Sequence, residues 1–508
     1  MSEKSRKVLI ITYYFPPSGG AGVQRTLKFV KYLRDFGWEP VVLTAKGADY
    51  PAIDETLFAE IPEGVQVYRS GIIEPYRLYR KFTGRKADEA ADIATLSLDQ
   101  HSKRKLAERV SEWIRAAFFV PDARIAWRFF ACGLGKKILA KENIRVIYSS
   151  APPYTTHLIA KKLCKYSKLP WVADFRDSWI GWLSAPQWRP KLSRMLEQKM
   201  EYSVLRNADR ILAVSKGVKE DLLSRQPELD DERWSLLPNG YDAADFDGVK
   251  PAPKDDKITI TYSGSLYGPR NPEYLIRALE SLKNTGNIAA RMKFRIVGRV
   301  GDPILQRIKS SAVAEMFEII PYVTHQESLS YLLGSDMALL IIDDAPANRG
   351  ILTGKLYEYI GAGKLIFALA PDGEAAQLIR THKLGFVAAP KNVAQIQVAL
   401  KRIVESFDNQ SGDFKINSNL KTKFDRKEIT CELAKILDEV SEKPVIASVF
   451  PAKQSRHFEL RTRDCFGKKR LAMTLTGLSR QSRQSFSLVR SEKQRDIKRC
   501  DDYYMRTF

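Results

Sequence analysis

Residues 8–14 form an uncharged, strongly apolar run that feeds directly into a proline- and glycine-rich loop at 15–22. Val23, Leu27, Val30 and Leu33 then recur near helical spacing as far as residue 36, Gly37 ends the pattern, and residues 41–43 resume an apolar strand. A strand, tight turn, helix and second strand in this order pack as a βαβ unit, with parallel strands and the helix crossing one face. No other feature constrains the chain more, because it makes the N-terminal half α/β with a parallel sheet. Further strands are expected at 65–68, 146–149, 171–175 and 210–214. From Lys257 the alternation begins again: a strand at 258–262, a loop at 263–271, a helix at 273–282 and a strand at 292–297 ending at Gly298. Apolar runs at 337–342 and 365–369 continue this second series.

A chain of 508 residues has room for two to three domains, and 44% hydrophobic with 28% charged residues is a globular composition. The longest apolar runs, 8–15 and 337–342, are far too short to span a bilayer. Pro16-Pro17 follows the first run at once with no small-residue cleavage site, so it reads as a strand and not a signal peptide, and a cytoplasmic location is expected. Five scattered cysteines, at 132, 164, 431, 465 and 500, offer neither a disulfide framework nor zinc spacing. Residues 441–508 hold 16 Lys and Arg against 7 Asp and Glu, +9 of the total +22, which leaves +13 for the rest. A basic body suits an anionic membrane face or a diphosphate-bearing substrate, and it keeps nucleic acid open as an alternative.

The densest chemistry lies at 348–370. Thr353 is placed to cap a short helix whose first N–H groups are free. Leu356, Tyr359 and Ile360 share a packing face, Lys355 and Glu358 stand one turn apart on another, and Gly361 and Gly363 stop the helix before a buried strand. Free N–H groups at Thr353-Gly354 and the Lys355 charge suit a diphosphate, and Glu358 could accept from ribose hydroxyls. The bland alternative is an ordinary amphipathic helix between two strands.

This segment resembles the nucleotide-sugar-binding region of retaining glycosyltransferases of family 4. Asn207-Ala-Asp209-Arg-Ile-Leu-Ala-Val-Ser215 and Leu236-Leu-Pro-Asn239-Gly240-Tyr-Asp242 are similar to that family's inter-domain signatures. Val172-Ala-Asp174-Phe-Arg176-Asp177-Ser-Trp179 and Pro121-Asp122-Ala-Arg-Ile-Ala-Trp127 resemble N-domain signatures of a bacterial cell-surface polysaccharide branch. The resemblance covers about residues 7–440. It implies the GT-B architecture: two Rossmann-like domains facing across a cleft, here 1–225 for the acceptor and 226–425 for the nucleotide sugar. A terminal helix at 426–440 would return to the first domain, and a basic tail at 441–508, without periodicity, is expected to lack structure. The implied activity moves a sugar from a nucleoside diphosphate donor to a saccharide acceptor, expected to be lipid-linked. No metal or cofactor is called for, since a lysine and a helix N-terminus can neutralise the departing diphosphate.

The same resemblance puts the loop of Gly19, Gly20 and Gly22 in the cleft near the donor, with Arg25 beside it. The loop is not a dinucleotide fingerprint, because the second strand ends without the acid that would hold an adenosine ribose. Asp174 and Asp177 are expected to position the acceptor with Arg176 ordering them, although a D-x-R-D cluster could equally satisfy itself as an ion-pair network. Gly264 turns the first strand of the second domain, and Arg270 and Arg299 supply phosphate contacts where Ser265 and Asn271 replace the family's usual cations. Gly350 stands where the family has the first of two paired glutamates. Residues 101–120 read as a basic amphipathic helix, covering the sheet or touching a membrane. A nucleotide-sugar epimerase on the same fold and a nucleic-acid-binding protein are the alternatives.

Overall fold

The computed structural model describes residues 6–50, 52–74, 119–180, 190–229, 231–283, 288–409 and 416–442. The expected basic helix at 101–120, apart from its last two residues, and all but the first two residues of the tail lie outside them. The described residues build two parallel sheets. The first has the order β3-β2-β1-β4-β5-β6-β7. Its strands are β1 (Arg6–Ile11), β2 (Trp38–Ala45), β3 (Gln66–Ser70), β4 (Ile144–Ala151), β5 (Trp171–Phe175), β6 (Arg210–Ala213) and β7 (Trp234–Leu236). The second has the order β10-β9-β8-β11-β12-β13. It contains β8 (Ile258–Ser263), β9 (Met292–Val297), β10 (Phe317–Ile320), β11 (Met337–Ile341), β12 (Leu365–Leu369) and β13 (Gly385–Ala388).

Both sheets are doubly wound. The chain leaves β1 in one direction through β2 and β3, then returns to build outward from β4, so a crevice opens beyond the carboxyl ends of β1 and β4. The second sheet repeats the device at β8 and β11. Central strands such as β1, β4 and β12 are buried on both faces, as parallel sheets covered by helices require.

One boundary moves. The expected break at 225/226 would put β7 in the second domain, but β7 pairs in parallel with β6, Ile211 opposite Trp234. The first sheet therefore runs to Leu236, and the connection between lobes is the segment that follows. The helix Arg426–Glu442 does return to the first lobe. Its Ile429, Leu433 and Leu437 join the core formed by Val23, Leu27 and Val42, and Trp38 donates its indole N–H to Asp438 at 2.8 Å. No helix among the described residues is long and apolar enough to cross a membrane.

Candidate active site

The second lobe brings the ends of β8 and β9 together through glycine. Gly264, after β8, has φ +114°, and its N–H donates to Val297 O at 2.8 Å. Gly298, after β9, has φ +134°, and a Cβ there would lie 2.4 Å from Gly264 O. On this platform rests Lys355: a Cβ at Gly264 would meet its Cε at 2.6 Å and its Nζ at 2.9 Å. The Lys355 ammonium also lies 5.2 Å from the centre of the Tyr262 ring. Burial pushes the Lys355 amine down to about 8, and the neighbouring Arg270 guanidinium pushes the same way, with Glu358 opposing. Two cations thus share one place, and no ion-pair partner of either occurs among the described residues. Such an arrangement stores repulsion that an anion would relieve.

Lys355 is the second residue of the helix Gly354–Gly361, so the helix start lies beside that lysine. Gly354 is exposed with open space where a Cβ would stand. Thr353 precedes the helix, but its hydroxyl does not cap it as expected; the oxygen is buried and unpaired. The first N–H groups consequently keep their donor capacity. Arg299 stands apart in role: its exposed guanidinium lies over Tyr322 at 5.2 Å, and it is its carbonyl that accepts from Leu266 N–H at 2.9 Å.

Glu358 lines a small pocket between the lobes, with Gln24, Tyr241, Asp245, His325 and Arg426 among its walls. Its Oε1 lies 3.5 Å from His325 Nε2. Burial opposes ionisation of Glu358, but His325, Lys355 and Arg426 outweigh it and hold the carboxyl below its ordinary range. His325 is raised in turn, first by its hydrogen bond to Glu358. Neither His325 nor Arg426 is legible in the sequence as a partner of Glu358, since both meet it only through tertiary folding. Thr324-His-Gln-Glu327 is a legible capping box, which the structure forms, and it fixes where His325 begins its helix.

The first lobe places two of the expected site residues, Arg25 and Asp174, in one buried pair. Arg25 and Asp174 are sealed, 2% and 0% exposed, and face each other as a bidentate pair at 2.9 and 2.8 Å. Asp174 also accepts from Tyr148 and Ser150, at 2.7 and 2.9 Å. The remaining Arg25 donors reach Leu237 O and Pro238 O, at 2.9 and 2.7 Å. The pair is thus bonded on all sides and clamps the inter-lobe connection. Arg176 is likewise committed, donating to Gly22 O at 2.5 Å and to Ala151 O at 3.2 Å, which braces the glycine loop. Within that loop Gly19 is buried, Gly22 sits 3.2 Å (as a virtual Cβ) from the Tyr14 ring, and Gly20 stands open at φ +82°. Asp177 alone of the D-x-R-D cluster is exposed.

Glu60, Asp242 and Asp245 converge as a metal site might. The Lys28 ammonium fills the centre, 2.7 Å from Asp242 and 2.6 Å from Asp245, and Lys31 adds a second charge. This trio is counter-charge for a buried lysine at the lobe junction. Gly350 carries no side chain into the cleft: Ser215 of the first lobe donates to its carbonyl at 2.9 Å.

Two family models match the chain in sequence: Glycosyltransferase Family 4 over residues 92–245 and Glycosyl transferases group 1 over residues 245–418. Among curated proteins, none matches. The fold is similar to Anabaena HepE in complex with UDP, with TM-score 0.55 and 14% identity over 85% of this chain and 100% of that one. TarM is similar with TM-score 0.51 and 11% identity, over 86% and 99%. So is the N-terminal domain of Candida albicans trehalose-6-phosphate phosphatase, with TM-score 0.55 and 12% identity over 86% and 97%. At such identities these likenesses speak for the fold.

Proposed function

Since this chain belongs to the glycosyltransferases of GT-B architecture, with a family 4 half followed by a group 1 half, we propose that it transfers a sugar with retention from a nucleoside diphosphate donor. The acceptor is a saccharide, lipid-linked, on the cytoplasmic side of a membrane in cell-surface polysaccharide synthesis. One observation carries the donor assignment: among the described residues Lys355 and Arg270 lie together without an ion-pair partner, at glycine turns that admit a ligand to the backbone. HepE, similar in fold, was solved with UDP-glucose.

In this reading the anomeric carbon–oxygen bond breaks toward the diphosphate. Lys355, Arg270 and the N–H groups at Thr353-Gly354 neutralise the charge that develops there. Arg299 borders the base, Glu358 accepts from the ribose hydroxyls, and Gly20 lets the loop approach the sugar. Asp177 receives the acceptor hydroxyl, whose oxygen forms the new bond and whose proton passes to the departing diphosphate. Asp174, Arg25 and Arg176 hold the loop and strand ends that frame these groups, and Gly264 makes room for Lys355.

The test is ligand-induced stabilisation. UDP and other nucleotides should raise the melting temperature of the wild type by binding the folded state alone. Lys355→Ala and Arg270→Ala should each weaken nucleotide binding by about tenfold or more, as expected for losing one charge-assisted contact. Unchanged binding by both variants would place the donor elsewhere.

A further inference from the structure

Three helices on one side of the first sheet present an outer face without an exposed carboxylate. They are Trp127–Lys141, Thr155–Ser167 and Lys191–Asn207, and all three pack into one core with β4, β5 and β6. The first two contain no Asp or Glu. The third contains Glu197 and Glu201, which are 2% and 0% exposed. Outward, by contrast, stand Lys136 and Lys137 on the first helix, Lys162 and Lys165 on the second, and Lys191 and Lys199 on the third. The faces are continuous. Lys136 Nζ lies 4.6 Å from the centre of the Tyr166 ring on the next helix, and Lys161 of that helix bonds Ser203 of the third. The field is felt locally, since burial, Lys165 and Arg128 together lower the Lys161 amine.

Apolar side chains are interleaved with these cations. Phe129 is 75% exposed, Leu192 68%, Tyr166 56% and Met195 51%, with Phe130 and Leu196 also outside. Leu192, Met195 and Leu196 stand at i, i+3 and i+4, so one stripe of the third helix faces outward while Glu197, Glu201 and Val204 face the core. A merely solvated face mixes charges of both signs and shows few large aliphatics. We propose that this three-helix face docks reversibly on an anionic lipid bilayer, with the lysines at the headgroup phosphates and Phe129, Leu192, Met195 and Leu196 entering the interfacial layer. Nucleic acid would satisfy the lysines but offers nothing to the exposed aliphatics, so lipid is the better match. The docking face gives a location to the membrane part of the function proposed above, and it rests on that reading only for why a bilayer is visited.

The full chain should be co-sedimented with phosphatidylcholine vesicles, with and without phosphatidylglycerol. Binding is expected only to the anionic vesicles, weakening as salt screens exposed charge. Lys136→Gln, Lys137→Gln, Lys162→Gln and Lys165→Gln combined should lower the partition coefficient by about tenfold or more. Leu192→Ser with Met195→Ser and Leu196→Ser should remove the part that survives high salt. Both variants should keep the nucleotide-induced thermal shift, which reports the donor site separately and shows that they fold. Wild-type partition by the charge variant, or equal binding to neutral vesicles, overturns the proposal. A charge variant that loses affinity for a single-stranded oligonucleotide but not for vesicles overturns it in favour of nucleic acid.

Discussion

In the proposed function Lys355 is the residue on which donor binding turns, and its environment makes a pH prediction with a definite sign. Its amine is pushed down to about 8, from an ordinary value near 10.5, by burial first and Arg270 second. Below pH 8 the free protein presents an ammonium to the diphosphate; above it the charge is lost. The donor dissociation constant should therefore rise toward tenfold per pH unit above about 8, until the diphosphate itself restores the proton. Lys355→Arg should abolish that dependence, because a guanidinium stays charged throughout. Calorimetric titration with UDP between pH 6.5 and 10, values chosen to bracket about 8, reads both, and a flat wild-type profile would remove Lys355 from the donor site. For stability the sign is opposite. The unfolded chain binds this proton more tightly, so charging Lys355 opposes folding below its folded value, and stability grows as pH rises from there toward the unfolded one. How much of this was legible is itself a residue-scale matter. Lys355 and Glu358 are visible in sequence because helical spacing places them together. The roles of Asp174 and Arg25 were not, since only tertiary structure tells a buried pair from a substrate-facing one. That both stand at strand carboxyl ends or loop edges is true of either case.

At the scale of elements, the strands followed the apolar pattern where they are central and escaped it where they are short or at an edge. Trp171–Phe175, Met292–Val297 and Leu365–Leu369 coincide with the apolar runs, because both faces of these strands are covered. β7 has three residues, β13 starts with a glycine at φ +143°, and β10 is half-buried along its length, so none has a run long enough to register. The Arg25–Asp174 pair joins β5, the helix Ala21–Tyr32 and the inter-lobe connection, and that gives it a measurable weight. Asp174→Asn should cost on the order of 3–5 kcal/mol in chemical denaturation, the scale for orphaning a buried charge. The pair's contribution is present at neutral pH and is lost on acidification. Arg25 and the hydroxyls, outweighing burial, hold the Asp174 carboxyl below its ordinary value, so protonation through that lower value releases it. A change under about 0.5 kcal/mol, the range of ordinary surface substitutions, would show that the clamp is dispensable.

Across the whole molecule, the two lobes touch where neither has a side chain to spare. Gly217 is the second residue of the helix Lys216–Ser224 in the first lobe, and a Cβ on it would lie 2.6 Å from Gly350 Cα in the second. Beside them Glu374 of the second lobe accepts the N–H groups of Lys216 and Gly217, so a carboxylate from one lobe neutralises a helix start in the other. At this seat the Gly350 carbonyl also accepts from Ser215 Oγ, so the backbone of one lobe is bonded directly to the other. The seat also separates folding from closure. Gly217→Ala should favour its own helix by up to about 1 kcal/mol, because alanine is the better helix former. The added methyl nevertheless meets backbone across the seat, where nothing flexible can yield, and must hold the lobes apart by a fraction of an ångström or more. Melting temperature should therefore stay level or rise, and nucleotide binding, which the proposed function puts in the second lobe, should be unchanged. Turnover should fall by about tenfold or more, since the acceptor groups of the first lobe no longer reach the anomeric carbon in register. Small-angle scattering would show the opened form directly. Wild-type turnover in a protein that melts as the wild type does would mean that closure at Gly217 and Gly350 plays no part in transfer.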